Sequence, residues 1–392
     1  MYRNIKSNGV GKMKALMLAS VASMIDQFNM ENIALLQNMG YKVDVACNFL
    51  QGSTSSEERM ADFRKELEEK QIRAFLVPIP RKISAIKQIM ASYRQIKNLV
   101  EQEKYQLVHC HSPIGGAIAR MACREQRKKG LRVIYTAHGF HFYTGAPKKN
   151  WMIFYPIEKW LSKYTDVLIT ICKEDYERAK QCMNAKKIVY IPGIGVDAEG
   201  IGAMPKHEEK RQELGLKEDD KLLLSIGELN RNKNHEVILR AMAKLQRKDV
   251  HLAICGKGKL ENYLKQLAKE LGIEKQVHLL GFRTDAKEWL TVTDIFVFPS
   301  FREGLPVSLM EAMAAGLPVV ATKIRGTTDL VVPEKGGYLH GTTQVEQMAF
   351  SIGQLLDDDR KREEMGNYNK TVIRNFSIIK VQEIMKTLYE SK

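Results

Sequence analysis

From Met13 onward, short apolar runs alternate with longer amphipathic stretches, and this alternation restricts the fold more than any other feature of the chain. Residues 15–19, 42–47, 72–77, 107–109, 132–136, 167–171 and 188–191 read as strands. Residues 57–70, 83–103 and 174–182 lie between them, carry apolar residues at helical spacing, and are long enough to be crossover helices. Strand and helix in this repetition predict an α/β class with a parallel, doubly wound sheet covered on both faces.

The pattern halts at Pro192-Gly-Ile-Gly-Val-Asp197, and the polar stretch that follows, with Pro205 inside it, marks a domain boundary. A second series then begins. Strands are expected at 222–226, 250–255, 277–280, 295–298 and 319–321, and helices at 235–245, 260–271 and 307–315. The whole predicts two Rossmann-like domains facing across a cleft, over residues 13–195 and 196–375, with a loose extension at 1–12 and a C-terminal helix at 376–392 that packs back on the first domain. At roughly 100 to 200 residues per domain, 392 residues suit this division. Ligands of open α/β sheets bind at the carboxyl ends of the strands, which directs attention to the loops there.

Charge separates the halves. Residues 1–195 carry 31 Lys and Arg against 17 Asp and Glu, whereas 196–392 carry 30 against 29, so nearly all of the net +15 sits in the first half. A basic half beside a neutral one points to an anionic surface or substrate. The six cysteines are scattered without Cys-x-x-Cys spacing, which fits a reduced cytosolic protein. No apolar stretch reaches the roughly 18 residues that span a bilayer. Lys12 and Lys14 ahead of Ala15 to Ile25 have the outline of a signal peptide, but the apolar part is short and reads better as a first strand.

The most informative window is Phe298-Pro-Ser-Phe-Arg-Glu-Gly-Leu-Pro-Val-Ser-Leu-Met-Glu-Ala-Met-Ala-Ala-Gly316. A strand ends at Phe298, Gly304 frees the backbone, and Pro306 suits the start of a helix that is apolar except for Glu311. The start of such a helix presents unpaired N–H groups to a phosphate. Glu311, if buried on that helix, wants hydrogen-bond donors, and a ribose diol supplies two; a core arginine or partial exposure would serve as well. Gly256-x-Gly258 follows a strand and opens a helix, a weak signal alone because tight turns need glycine in any case.

The spacing Glu303-x7-Glu311, with Gly256-Lys-Gly258 upstream and Val319-Val-Ala-Thr322 downstream, resembles the retaining GT-B glycosyltransferases of family 4, or group 1. His138-Gly-Phe-His-Phe-Tyr-Thr-Gly145 and Gly227-Glu-Leu-Asn-Arg-Asn-Lys-Asn-His235 are similar to segments of the exopolysaccharide and capsule transferases. The resemblance implies the GT-B architecture, with an acceptor-side first domain and a nucleotide-sugar-binding second domain. It implies that Glu311 holds the ribose hydroxyls, that Glu303 contacts the donor sugar near its anomeric carbon, and that Gly304 and Leu305 offer main-chain N–H groups to the diphosphate. Lys233 falls at the family's diphosphate lysine, Gly256 and Gly258 lie beside the nucleotide, Arg283 is a contact to base or phosphate, and His138 stands near the transferred sugar.

Two departures accompany the likeness. The family's Gly-Arg-Leu is Gly227-Glu228-Leu229 here, so the usual arginine is missing, and Arg231 is the candidate replacement. The first strand-to-helix loop, Ser20-Val-Ala-Ser-Met-Ile25, lacks the paired glycines of many members. His109-Cys110-His111 raises the thought of zinc, but no second ligand cluster accompanies it, and the family needs no metal; no cofactor is expected.

The expected activity is transfer of a sugar from a nucleoside diphosphate sugar, UDP-linked, to a lipid-linked saccharide acceptor in surface polysaccharide biosynthesis. The resemblance implies that the leaving diphosphate helps deprotonate the acceptor hydroxyl. Cations beside apolar and aromatic residues, at Arg81 to Leu99 and at Lys148 to Tyr155, suit peripheral contact with an anionic membrane, at the inner face of the cell membrane. A crossover helix packed on its sheet would show a similar pattern. Two rival readings are a catalytically weak nucleotide-sugar-binding or scaffold protein, suggested by Glu228, and a basic nucleic-acid binder. The second has no helix-turn-helix, zinc-finger or RNP signature in its favour, and no nucleic acid partner is expected.

Overall fold

The computed structural model describes residues 13–51 and 57–391; the extension expected at 1–12 lies outside them. The described chain divides into two compact units, residues 1–191 with 382–392, and residues 192–381. The passage between them thus falls at Ile191/Pro192, slightly ahead of the 195/196 boundary, and the return at Val381/Gln382, slightly after 375/376.

The first unit holds β1 (Lys14–Val21), β2 (Lys42–Asn48), β3 (Arg73–Leu76), β4 (Leu107–His111), β5 (Arg132–Ala137), β6 (Val167–Thr170) and β7 (Lys187–Tyr190). They form one parallel sheet in the order β3-β2-β1-β4-β5-β6-β7. Register is set by apolar runs meeting apolar runs, as in Ala15 opposite Leu107 and Leu18 opposite Cys110. The lysine-led segment with the outline of a signal peptide is β1, near the middle of this sheet, followed by the helix Ala22–Phe28.

Right-handed crossovers fix which face each helix covers. The connections from β3 to β4, β4 to β5 and β5 to β6 all step the same way across the sheet. Their helices, Ile86–Glu103, Pro113–Ala122 and Lys148–Ser162, therefore share one face, and the middle one packs against both neighbours.

The second unit repeats the plan with β8 (Lys221–Ile226), β9 (Val250–Cys255), β10 (Val277–Gly281), β11 (Ile295–Phe298), β12 (Val319–Thr322) and β13 (Gly337–His340), in the parallel order β10-β9-β8-β11-β12-β13. The expected strands all appear, within a few residues at their ends. β13 is an addition: four residues at the sheet edge, only part-buried after Gly337, give no apolar run to read. In both sheets the order reverses beside the first strand, between β1 and β4 and between β8 and β11. Loops leaving those strands splay to opposite sides there and leave room for a ligand.

The helical layer of the first unit is tied to its sheet by one buried ion pair. Arg120 is fully buried; its guanidinium lies 3.9 Å from the centroid of the Tyr135 ring, and it donates to both carboxylate oxygens of Glu158 at 2.5 and 3.0 Å and to the Gly116 carbonyl at 3.0 Å. Gly116 is required by the same packing, since a Cβ there would lie 2.3 Å from the Tyr135 ring. Glu158→Ala leaves a buried guanidinium unpaired and should destabilise the first unit by about 3 to 5 kcal/mol. The double change Arg120→Met with Glu158→Leu should cost clearly less, and urea midpoints of both variants decide the matter.

Candidate functional site

The loops that follow β8 and β11 form the candidate site of the second unit. After β8 the chain turns through Gly227 to Asn234, and asparagines anchor this loop to the next. Asn232 Nδ2 donates to the Arg302 carbonyl at 2.9 Å, Asn234 Nδ2 donates to the carbonyls of Pro299 at 3.1 Å and Thr342 at 2.9 Å, and the Phe301 N–H donates to the Asn232 carbonyl at 2.8 Å. This lacing brings Lys233 and Glu303 together: Lys233 Nζ lies 2.8 Å from Glu303 Oε1, and both side chains are partly buried. Lys233 Nζ also stands 5.1 Å from the centroid of the Phe298 ring, the last residue of β11.

The two glycines after β9 serve this loop by their lack of a side chain. A Cβ on Gly256 would lie 1.9 Å from the Gly227 carbonyl oxygen, and one on Gly258 2.3 Å from that of Leu229. They let the β9 loop press against the one that carries Lys233.

Next to Glu303, the helix Val307–Ala314 begins with Pro306 in extended conformation, no side-chain cap and no acidic residue in its first turn. Its leading N–H groups lack a side-chain partner, and the dipole end is positive, an arrangement that receives an anion. Gly304 is partly exposed here, whereas the Leu305 side chain is buried. Glu311 sits one turn into the helix. Burial pushes its carboxyl above the ordinary range, opposed by Lys287, whose Nζ is 3.5 Å away. A carboxylate so placed binds donors strongly when they are offered.

The remaining expected residues occupy other surroundings. Arg231 is exposed on the β8 loop, and Glu228 is exposed as well. Arg283 lies at the end of β10, bonded to Asp285 at 2.6 and 2.7 Å and to Glu213 at 2.9 Å, within an acidic set that Lys210 joins. One contributor escaped sequence reasoning: Arg325 Nε donates to the Glu303 carbonyl at 3.0 Å. Its signal is a cation directly before Gly326, whose φ of +81° and close approach to the Gly304 carbonyl make a sharp bend after β12.

In the first unit the switch point gathers His109, His111 and His138. His111 Nδ1 is 3.1 Å from His138 Nε2, and the His109 and His111 rings lie 4.2 Å apart. His109 is held at both nitrogens, by the Tyr389 hydroxyl on the C-terminal helix and by Thr136 Oγ1, each at 2.8 Å. Cys110 takes the other face and donates to the Ile134 carbonyl, so it does not join the histidines. Behind His138, the Phe140 N–H donates to Asp175 at 2.9 Å, which fixes the His138-Gly-Phe turn. The glycine-poor first loop is closed by hydroxyls: Ser20 Oγ accepts from the Gly115 N–H at 3.0 Å and meets Ser112 Oγ at 2.7 Å.

Burial keeps these imidazoles neutral. His138 is depressed to about 4, His109 to about 3 with help from the charge of His138, and His111 well below its ordinary value. They can exchange hydrogen bonds near neutral pH but carry no charge. Among the described residues one trio could share an ion, His207, Glu209 and Glu288, and there Lys210 already sits 2.8 Å from Glu288.

Because the folded values lie below the ordinary 6.5, the unfolded chain takes up protons first as pH falls. Stability contributed by the cluster is therefore complete above about pH 6.5 and is lost toward about 4, at up to about tenfold in the folding equilibrium per pH unit per histidine. His109→Gln should flatten the fall between pH 6.5 and 5 relative to the parent, measured by urea melts across that range.

Comparison with known proteins follows the same lines. The family model described as Glycosyl transferases group 1 matches residues 206–372, and that described as Glycosyltransferase Family 4 matches residues 30–199. The chain is 36% identical over 383 residues to the putative glycosyltransferase EpsD of Bacillus subtilis (strain 168), covering 96% of each. It is 29% identical over 388 residues, again 96% of each, to the UDP-Gal:alpha-D-GlcNAc-diphosphoundecaprenol alpha-1,3-galactosyltransferase of Escherichia coli. Among solved structures, Anabaena Alr3699/HepE in complex with UDP superposes with a TM-score of 0.77 at 20% identity, and WaaG, a glycosyltransferase involved in lipopolysaccharide biosynthesis, with 0.74 at 18%; each match covers 97% of this chain and 100% of the other.

Proposed function

The chain belongs to the family 4 glycosyltransferases of group 1, with the GT-B fold, and from that membership we propose that it moves a hexose or N-acetylhexosamine from a UDP-sugar to a lipid-linked saccharide acceptor in surface polysaccharide synthesis, with retention at the anomeric carbon. The observation that carries the reading is the Lys233–Glu303 pair at the strand-order reversal of the second sheet, beside a helix start without a capping side chain. The E. coli relative supports the donor and acceptor classes through its named substrates, UDP-Gal and GlcNAc-diphosphoundecaprenol.

In this reading the diphosphate lies against Lys233 and the main-chain N–H groups from Gly304 to Val307, with Gly256 and Gly258 beside the nucleotide. The ribose diol donates to Glu311, and Glu303 faces the sugar next to its anomeric carbon. As the bond from that carbon to the phosphate oxygen breaks, negative charge gathers on the departing UDP. Fixed donors stabilise that charge without having to reorganise. The acceptor oxygen bonds to the same carbon on the same face and gives its proton to a phosphate oxygen, so the step needs no separate base. His138, a neutral imidazole, steadies the transferred sugar by hydrogen bonding. An acceptor built on a lipid places the work of the enzyme at a membrane face.

Glu311→Ala should weaken UDP and uridine alike by about tenfold to a hundredfold, because both carry the ribose and a hydrogen bond to a charged group contributes roughly 1.5 to 3 kcal/mol. Calorimetry showing parental affinity for both removes the ribose assignment.

Lys233→Ala should cut UDP affinity and turnover by about the same factor while sparing uridine. Arg231→Ala should do likewise if that side chain replaces the family arginine; values within about twofold of the parent identify it as a plain surface residue. UDP binding without transfer to any lipid-linked acceptor would favour the scaffold reading that exposed Glu228 suggests.

A further inference from the structure

The helix Lys148–Ser162 turns an apolar stripe toward solvent. Met152, Ile153, Ile157 and Trp160 are 78, 48, 44 and 44% exposed, and Pro156 is exposed between them. This is the wrong side for a crossover helix, whose apolar stripe should face its sheet. The sheet-facing side is occupied separately, by Tyr155, Leu161 and Trp151, the last packed edge-on to Phe142.

The charges are sorted as well. Lys148, Lys149 and Lys159 are exposed on this helix, and Lys163 follows it. Its single acidic residue, Glu158, points inward to Arg120. Nothing negative from the helix reaches the stripe. The helix Ile86–Glu103 extends the pattern: Ile83, Ile86 and Met90 are exposed among Arg81, Lys82, Lys87 and Arg94, and the first acidic residue after them is Glu101. Both helices pack on Pro113–Ala122, on one face of the first sheet.

We propose that this face seats on an anionic phospholipid surface, with Met152, Ile153, Ile157 and Trp160 at the boundary of headgroup and acyl chain and the lysines against headgroup phosphates. Aliphatic and indole side chains flanked by cations match that boundary on both counts. A second copy of the chain would set like charges against each other. A nucleic acid would meet the lysines but leave the stripe without a counterpart. The inference deepens the membrane-facing part of the proposed function, and it is tested on lipid alone, so its failure and the failure of the transferase reading can be told apart.

The experiment is flotation of the full chain with vesicles of phosphatidylglycerol in phosphatidylcholine, and of phosphatidylcholine alone. Binding should require phosphatidylglycerol, weaken as salt is raised, and shift tryptophan emission to the blue, a shift that Trp160→Phe diminishes. Ile153→Ser with Ile157→Ser should lower partitioning by at least about tenfold. Lys148→Gln, Lys149→Gln and Lys159→Gln should each lower it by about fivefold. All these variants should bind UDP as the parent does, which verifies their fold. Partitioning of the isoleucine variant within about twofold of the parent overturns the proposal. So does concentration-dependent self-association that the same substitutions abolish in a chain that never floats with lipid.

Discussion

Parallel strands can be joined only by crossovers, crossovers turn one way, and the placement of both switch-point loop clusters follows from that handedness. Each sheet begins in its middle, runs outward to one edge, and then returns to the other side of its first strand. The reversal leaves the loops after β1 and β4, and those after β8 and β11, with no neighbour covering the gap between them. In the first unit that gap collects three histidines and two serine hydroxyls; in the second it collects a lysine, a glutamate and an open helix start. The same rule lays the basic helices of the first unit on one face, either side of Pro113–Ala122.

Much of this is legible in the sequence because a parallel sheet announces itself twice, through apolar runs and through the lengths between them. β13 is the exception, since an edge strand half open to water needs no apolar run. The loop after β8 was legible as glycine, asparagine and lysine, yet the contact of Lys233 with Glu303 depends on lacing by Asn232 and Asn234 to residues some 70 to 110 positions away, which spacing alone does not show. His111 and His138 meet because β4 and β5 are adjacent, a fact of sheet order. Arg283 is expected as a contact to base or phosphate, but Asp285 two residues on and Glu213 from 70 positions away both engage it, and the approach of Glu213 is encoded by no local pattern.

Burial sets the chemistry of each charged group more than its identity does. Burial disfavours the charged form of all three histidines, and Glu311 is pushed the opposite way by the same cause. Glu158 turns inward to Arg120, and in doing so it leaves its helix with a solvent face of lysines and hydrocarbon. One inward turn of a carboxylate thus serves both the packing of the core and the sign of the surface.

The final helix, Ile378–Glu390, imposes an order on biosynthesis. Residues from Gln382 onward belong to the first unit, where Tyr389 holds His109, and Arg132 donates to the Tyr389 carbonyl and to Ser391. A ribosome delivers these residues only after the whole second unit has emerged. N-terminal domains generally fold first during synthesis. Here the first unit must wait with His109 short of one partner until the residues after Val381 emerge, so a chain cut short at that point keeps every strand of both sheets and loses the closing member of the histidine cluster.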